Sequence, residues 1–151
     1  ETPCYNATVY INGKKAIEVG NDGHGGMDKQ HTYPNIEERG LVQQVNEWCV
    51  NKFGQKSFTY KSDDGEKECF YDIDLEHYCH IKLYEWLDTK LLKKSLSKEW
   101  LFFEDKELRA YKIMKQETIP FADFFKKRHP KGVLLNNLPF IEALKIYKEC
   151  A

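Results

Sequence analysis

The sequence predicts an α+β fold, with an antiparallel or mixed sheet built from β-hairpins that alternate with helices packed against it. Three observations lead there. Apolar and polar residues alternate on both sides of turn dipeptides, first in "ATVYINGKKAIEV". Segments of helical period separate these stretches, notably after Asn35 and after Asp74. No Pro/Ser-rich linker or composition shift divides the 151 residues, so a single domain over 1–151 is expected.

The first hairpin turns at Asn12-Gly13. Ala7, Val9 and Ile11 share one face of its first strand, and Ile17 and Val19 form the apolar face of its second. A two-residue loop pairs odd with even positions and separates these sets. A three-residue loop with Gly13 in a left-handed bulge position pairs odd with odd and unites them, so that bulge is predicted. From Asn35 to Phe53 the period becomes helical: Leu41, Val42, Val45, Trp48, Cys49 and Phe53 lie within about 140° of one face. Pro34-Asn35 with Glu38 resembles a capping arrangement, Gly54 is placed to close the helix, and Gly40 favours a start later than Asn35.

A second hairpin is predicted around Asp64-Gly65, in "KSFTYKSDDGEKECFYD". A long helix follows over 74–94 with Leu75, Cys79, Leu83, Trp86, Leu87 and Leu91 on its apolar face. "EWLFFEDKELRAYKIMK" turns near Asp105-Lys106. A short helix after Pro120 points Phe121, Phe124 and Phe125 inward and stops at His129-Pro130, since the residue before proline avoids helical angles. "GVLL" forms a short strand, and Pro139 opens a last helix carrying Phe140, Ile141, Leu144 and Tyr147.

Composition narrows the function classes. A hydrophobic share of 41% and an aromatic share of 14% exclude intrinsic disorder. Twenty-three basic and twenty-four acidic residues leave a formal charge of -1, so no global field attracts nucleic acid. No apolar run approaches the ~20 residues that span a bilayer, and, with no apolar h-region near the start of the sequence, no signal peptide is expected. Five cysteines at irregular spacing, without a Cys-x-x-Cys pair, lead us to expect free thiols and a cytoplasmic location.

The densest chemical signal is "EVGNDGHGGMDKQHTYP", read as a long crossing between the first hairpin and the first helix. Gly20 and Gly25 have the glycine spacing of a P-loop, but Gly26 and Met27 stand where Lys and Ser/Thr must neutralise phosphate and hold magnesium. Gly23 and Gly25 fail the dinucleotide fingerprint because Asp28 occupies its third glycine position. A looser role remains: consecutive glycines expose N–H groups as an anion-binding nest, with Lys29 and two histidines nearby. The plain alternative is a strain-relieving loop with a turn at Asp22-Gly23. Asp22, His24, Asp28 and His31 match no zinc or calcium template.

A second cluster, "CFYDIDLEHYCHIKLYEW", places His77 and His80 one helical turn apart, about 60° in direction, while Cys79 points toward the core side. Together with Cys69 this resembles a zinc site lacking a fourth ligand. A core cysteine with two hydrogen-bonded boundary histidines is the simpler reading. Neither metal nor cofactor is expected. "KKSLSKEW" lacks the setting of a nucleophile elbow, and Asp72 and Asp74 read as a turn with Asp74 at a helix N-terminus. The run "KKRHPKG" beside Phe121, Phe124 and Phe125 has the pattern of single-strand nucleic-acid binding, but helically spaced phenylalanines usually form core.

"VYINGKK" with "NDGHGG", and "HPKGVLLNNLPFIEALKIYK" at the other end, resemble segments of small uncharacterised accessory proteins of phages and mobile elements. The likeness covers about a third of the chain. It implies action by binding: some such proteins obstruct a host defence protein, and others sequester a nucleotide signal. The first expectation is therefore a non-enzymatic binding protein whose partner is a host protein or a small anionic, nucleotide-like ligand. Its candidate residues are Asn21, Asp22, Gly23, His24, Gly25 and Gly26, with Lys29 and His31 as charge partners. Two alternatives stand beside it: a small hydrolase or phosphoryl-transfer enzyme using His24, His31 or His77, and a nucleic-acid-binding module using Arg128 and neighbouring lysines.

Overall fold

A computed structural model describes residues 3–36, 39–113 and 121–150. Among these residues, four helices and eight strands in three antiparallel sheets make the fold α+β. The hairpins form separate sheets rather than one continuous sheet. The chain falls into two compact units, Glu1–Leu83 and Tyr84–Ala151. The capping arrangement with Glu38, and Pro120, lie outside the described residues.

In the first unit, β1 (Tyr5–Ile11) pairs with β2 (Lys14–Asn21), and β2 with β3 (Lys29–Thr32). Odd pairs with odd over most of the hairpin, with Ala7 opposite Val19 and Val9 opposite Ile17. The means differs from the three-residue loop expected. Asn12 (φ 50°) and Gly13 (φ 77°) make a two-residue left-handed turn, and the register slips one residue further on, where Ala16 is the extra residue. The turn thus satisfies the twist preference of a tight hairpin, and the bulge corrects parity afterwards. Ile17 and Val19 consequently reach zero exposure in a core with Ala16, Leu41, Cys49, Leu75 and Cys79. Complete burial of such an aliphatic side chain contributes about 1.5–3 kcal/mol.

Helix α1 (Leu41–Phe53) starts directly after Gly40, whose φ of 76° is a left-handed entry, and Gly54 closes it by donating its N–H to the Val50 carbonyl at 2.8 Å. Leu41 and Cys49 are buried, whereas Trp48 lies more than half exposed. β4 (Gln55–Ser62) and β5 (Gly65–Asp72) form a two-stranded sheet that leaves Phe58, Tyr60 and Phe70 exposed. Its turn is Asp63-Asp64, one position before the expected dipeptide. Helix α2 (Leu75–Leu96) is capped by Asp74, whose carboxylate accepts the His77 N–H at 2.9 Å. Asn46 Oδ1 accepts the Leu75 N–H at 2.9 Å, so two open donors of the first turn are satisfied.

In the second unit, β6 (Glu99–Glu104) lies between β7 (Glu107–Lys112) and β8 (Val133–Leu134). The central strand is buried on both faces, which explains its unbroken apolar run. Leu101 faces Leu92, Leu135 and Ala143, and Phe102 faces Phe125 and Leu134. Helix α3 (Phe121–Arg128) and helix α4 (Phe140–Cys150) supply the layers. Four positions depart from the expected inward faces: Trp86, Leu91, Phe124 and Ile141 are exposed, and Leu92 and Ala143 are buried. A helical face spans neighbouring positions, so the choice between Leu91 and Leu92 depends on what packs there. Asn136 Oδ1 accepts the Leu101 N–H at 2.8 Å, and its amide donates to the Leu96 and Glu99 carbonyls.

Candidate functional site

The glycine segment proves to be the connection of a hairpin, not a crossing from sheet to helix. After Asn21 the chain leaves β2, loops through Asp22–Asp28 and returns as β3. Gly23, Gly25 and Gly26 all have φ between 83° and 91°, a run that only glycine adopts without strain. Asn21 is buried and ties the loop at its base. Its Oδ1 accepts the Gly23 N–H at 2.9 Å, and its Nδ2 donates to the Gly26 carbonyl at 3.2 Å and to Asp28 Oδ1 at 3.0 Å. The Asp22 carboxylate accepts the His24 N–H at 3.4 Å. Side-chain oxygens of the loop itself therefore occupy the Gly23 and His24 donors that an anion nest would offer.

On the sheet, parity sorts the candidates. Asn6, Thr8, Glu18, Gly20, Lys29 and His31 share the face opposite the Ile17–Val19 core, since Asn6 pairs with Gly20, Gly20 with Lys29 and Glu18 with His31. A cleft of about 320 Å³ opens there, lined by Asn6, Glu18, Gly20, Lys29 and His31 together with Tyr5, Asn21 and Asp22. Gly20 has no side chain to fill it, and a Cβ at that position would lie 2.9 Å from the Tyr5 carbonyl oxygen. Lys29 Nζ meets Asp22 Oδ2 at 3.0 Å in an exposed ion pair. The Lys29 ammonium, helped by the His24 N–H, holds the Asp22 carboxyl below the usual carboxylate range. Of the eight residues expected at the site, Asn21, Asp22, Lys29 and His31 line the cleft, while Gly23, His24, Gly25 and Gly26 form the loop beyond it.

Beneath the loop is a polar cluster that spacing could not disclose. The Asp28 side chain has no solvent exposure, and Tyr5 Oη donates to its Oδ2. His80, 52 residues further along and one turn into α2, brings Nε2 within 3.3 Å of Asp28 Oδ1. Burial and the Asp28 carboxylate together push the Tyr5 phenol well above its usual range. Glu76 lies one helical turn before His80, and ligand atoms of Asp28, Glu76 and His80 all fall within 4.8 Å of one another. His77 is engaged elsewhere, with Nδ1 2.8 Å from Asp74 Oδ1 and its ring against Tyr71. Burial pushes the Cys79 thiol up to about 11, so it persists as a buried thiol in the core.

The second unit holds a part-buried hydrogen-bonded chain of its own. His129 Nδ1 lies 2.6 Å from Glu104 Oε2, and its Nε2 lies 3.0 Å from Tyr111 Oη. The imidazole is enclosed by Phe102 and Phe125. Of the phenylalanines weighed as a nucleic-acid platform, Phe125 is 3% exposed and Phe121 stacks on Trp100 at 4.7 Å, while Phe124 is exposed.

Comparison with family models, curated proteins and solved structures finds no match for this chain. The class that the fold defines is an α+β protein, and its candidate site is a cleft on the open face of a three-stranded sheet. No helix among the described residues is long and apolar enough to cross a membrane.

Proposed function

We propose that this chain is a non-enzymatic binding protein of the cytoplasm, whose cleft over Gly20 takes a small anionic, nucleotide-like ligand. The observation that carries the reading is the cleft itself, of a volume at the lower end of small-molecule sites, with Lys29 and His31 projecting from alternate positions of one strand. An exposed ion pair contributes little to stability, so an incoming anion recruits Lys29 from Asp22 at small cost. Glu18, held by Asn6 at 2.8 Å and paired across the strands with His31, supplies an acceptor for ribose-like hydroxyls or an amino group. This reading fits the resemblance to phage accessory proteins, among which nucleotide sequestration is one mode of action.

Calorimetric titration with nucleoside monophosphates, cyclic nucleotides and inorganic phosphate tests it. We expect saturable binding of at least one nucleotide, weakened on the order of tenfold by Lys29→Ala with His31→Ala, the loss of about one charge-assisted contact. Absence of binding at about 1 mM ligand, or binding indifferent to both substitutions, sinks the proposal. A partner protein is the second reading, favoured by Phe58, Tyr60 and Phe70 exposed on the β4–β5 hairpin.

A further inference from the structure

We infer that Asp28, Glu76 and His80 form a binding site for one divalent transition-metal ion, a site independent of the cleft reading. Among the described residues theirs is the group of metal-ligating side chains whose donor atoms converge, all within 4.8 Å of one another. The Asp28 Oδ1 to His80 Nε2 separation is 3.3 Å. At metal–ligand bonds of about 2.1 Å that separation subtends about 100° at the ion, between the tetrahedral and octahedral angles. The direct hydrogen bond thus has the span of one edge of a coordination polyhedron, and Glu76 closes on the ion by side-chain rotation.

The supporting framework is rigid where a metal site requires it. Glu76 and His80 are four residues apart on α2, so both side chains rise from one face of a regular helix. Asp28 arrives from the loop base, its carboxylate oriented by the Asn21 amide and the Tyr5 hydroxyl. Such outer hydrogen bonds fix the direction of a metal-binding carboxylate.

Charge supplies an argument separate from distance. Two carboxylates converge here, one of them without solvent exposure. Tyr5 and Asn21 are neutral donors, and one imidazole carries at most a single positive charge. Like-charge carboxylates at this range repel, and a dication offsets both. One imidazole nitrogen and two carboxylate oxygens suit borderline ions such as Zn²⁺ or Mn²⁺ rather than Cu⁺, which prefers thiolate. Three protein ligands leave further positions for water. This set differs from the His77, Cys79 and His80 grouping that spacing suggested, because His77 turns to Asp74 and Cys79 to the core.

The test uses the full chain, free of any affinity tag and stripped with a chelator, titrated with Zn²⁺ and with Mn²⁺ and followed by calorimetry and metal analysis. We expect one equivalent bound, with Zn²⁺ tighter than Mn²⁺ as the stability order requires. Glu76→Gln and His80→Gln each weaken binding on the order of tenfold or more. Circular dichroism verifies that both variants remain folded. Glu76→Gln, isosteric and at a partly exposed helix position, keeps the comparison decisive if His80→Gln unfolds. The double variant His24→Ala with His31→Ala binds as the parent does. The inference is overturned by absence of saturable binding below about 1 mM, by parental affinity in Glu76→Gln, or by loss of binding in the His24/His31 variant.

Discussion

Replacing Asn21 by alanine removes three hydrogen bonds at once and tests whether the loop is held from its base. Asn21 accepts the Gly23 N–H at 2.9 Å, donates to the Gly26 carbonyl at 3.2 Å and donates to the Asp28 carboxylate at 3.0 Å. A neutral hydrogen bond contributes about 0.5–1.5 kcal/mol and one to a charged group about 1.5–3 kcal/mol. The Gly23 N–H and the Gly26 carbonyl regain water when Asn21 is lost, but the Asp28 side chain cannot, since it has no exposure. The expected destabilisation is therefore about 3 kcal/mol, dominated by the bond to Asp28. In urea, at a slope of about 1.5 kcal/mol per molar, the midpoint of the first unit falls by about 2 M. Fluorescence of Trp48, in the first unit, reports it. A shift below about 0.5 M would refute the view that Asn21 and Asp28 clamp the loop.

Lys106, at φ 66° beside Asp105 at φ 53°, occupies a left-handed turn position without glycine, so Lys106→Gly should stabilise the second unit by about 1 kcal/mol in a thermal melt. The raised phenol of Tyr5 keeps its proton in the folded state while an unfolded tyrosine ionises near about pH 10. Its contribution is thus fully present below that pH and lost progressively as pH rises from there toward the raised folded-state value, so in chelator-treated protein Tyr5→Phe should lose stability less steeply above about pH 10. Burial raises the thiols of Cys49 and Cys79, so iodoacetamide at about pH 8 should label exposed Cys4 and spare both until urea is added, as peptide mass spectrometry will show. An alanine Cβ at Gly20 meets the Tyr5 carbonyl at 2.9 Å, so Gly20→Ala should cost about 1–3 kcal/mol through displacement of β1 from β2.

Local patterns of the fold were legible, and long-range choices were not. Alternation around Asn12-Gly13 demanded that odd positions pair with odd, and they do, although the extra residue is Ala16. Either arrangement restores parity, and nothing in the apolar pattern says where the slip occurs. Strand β3 went unread because "KQHT" carries no apolar alternation; it is an edge strand held to β2 by backbone bonds. Its existence turns the presumed crossing into a hairpin loop and places Lys29 and His31 beside Glu18 and Gly20. The expected site residues were partly gathered as a result, but the reason was sheet register rather than glycine density. Asp28 and His80 are 52 positions apart, and Glu104 and His129 are 25 apart, so each pairing depends on tertiary folding that no spacing rule encodes.

The β4–β5 hairpin carries one more consequence. A two-stranded sheet with exposed aromatic side chains and little buried surface is marginal in water without support. Its root is stitched, with Gln55 Nε2 donating to Asp72 at 2.8 Å and the Ile73 N–H to the Gly54 carbonyl at 2.9 Å, and its far end closes on a turn of two aspartates. Hydrogen exchange should therefore run as a gradient along the ribbon. Amides near Lys61 and Glu66 trade protons through local opening, those near Gln55 resist, and the arm unzips repeatedly while the Ile17–Val19 core stays shut.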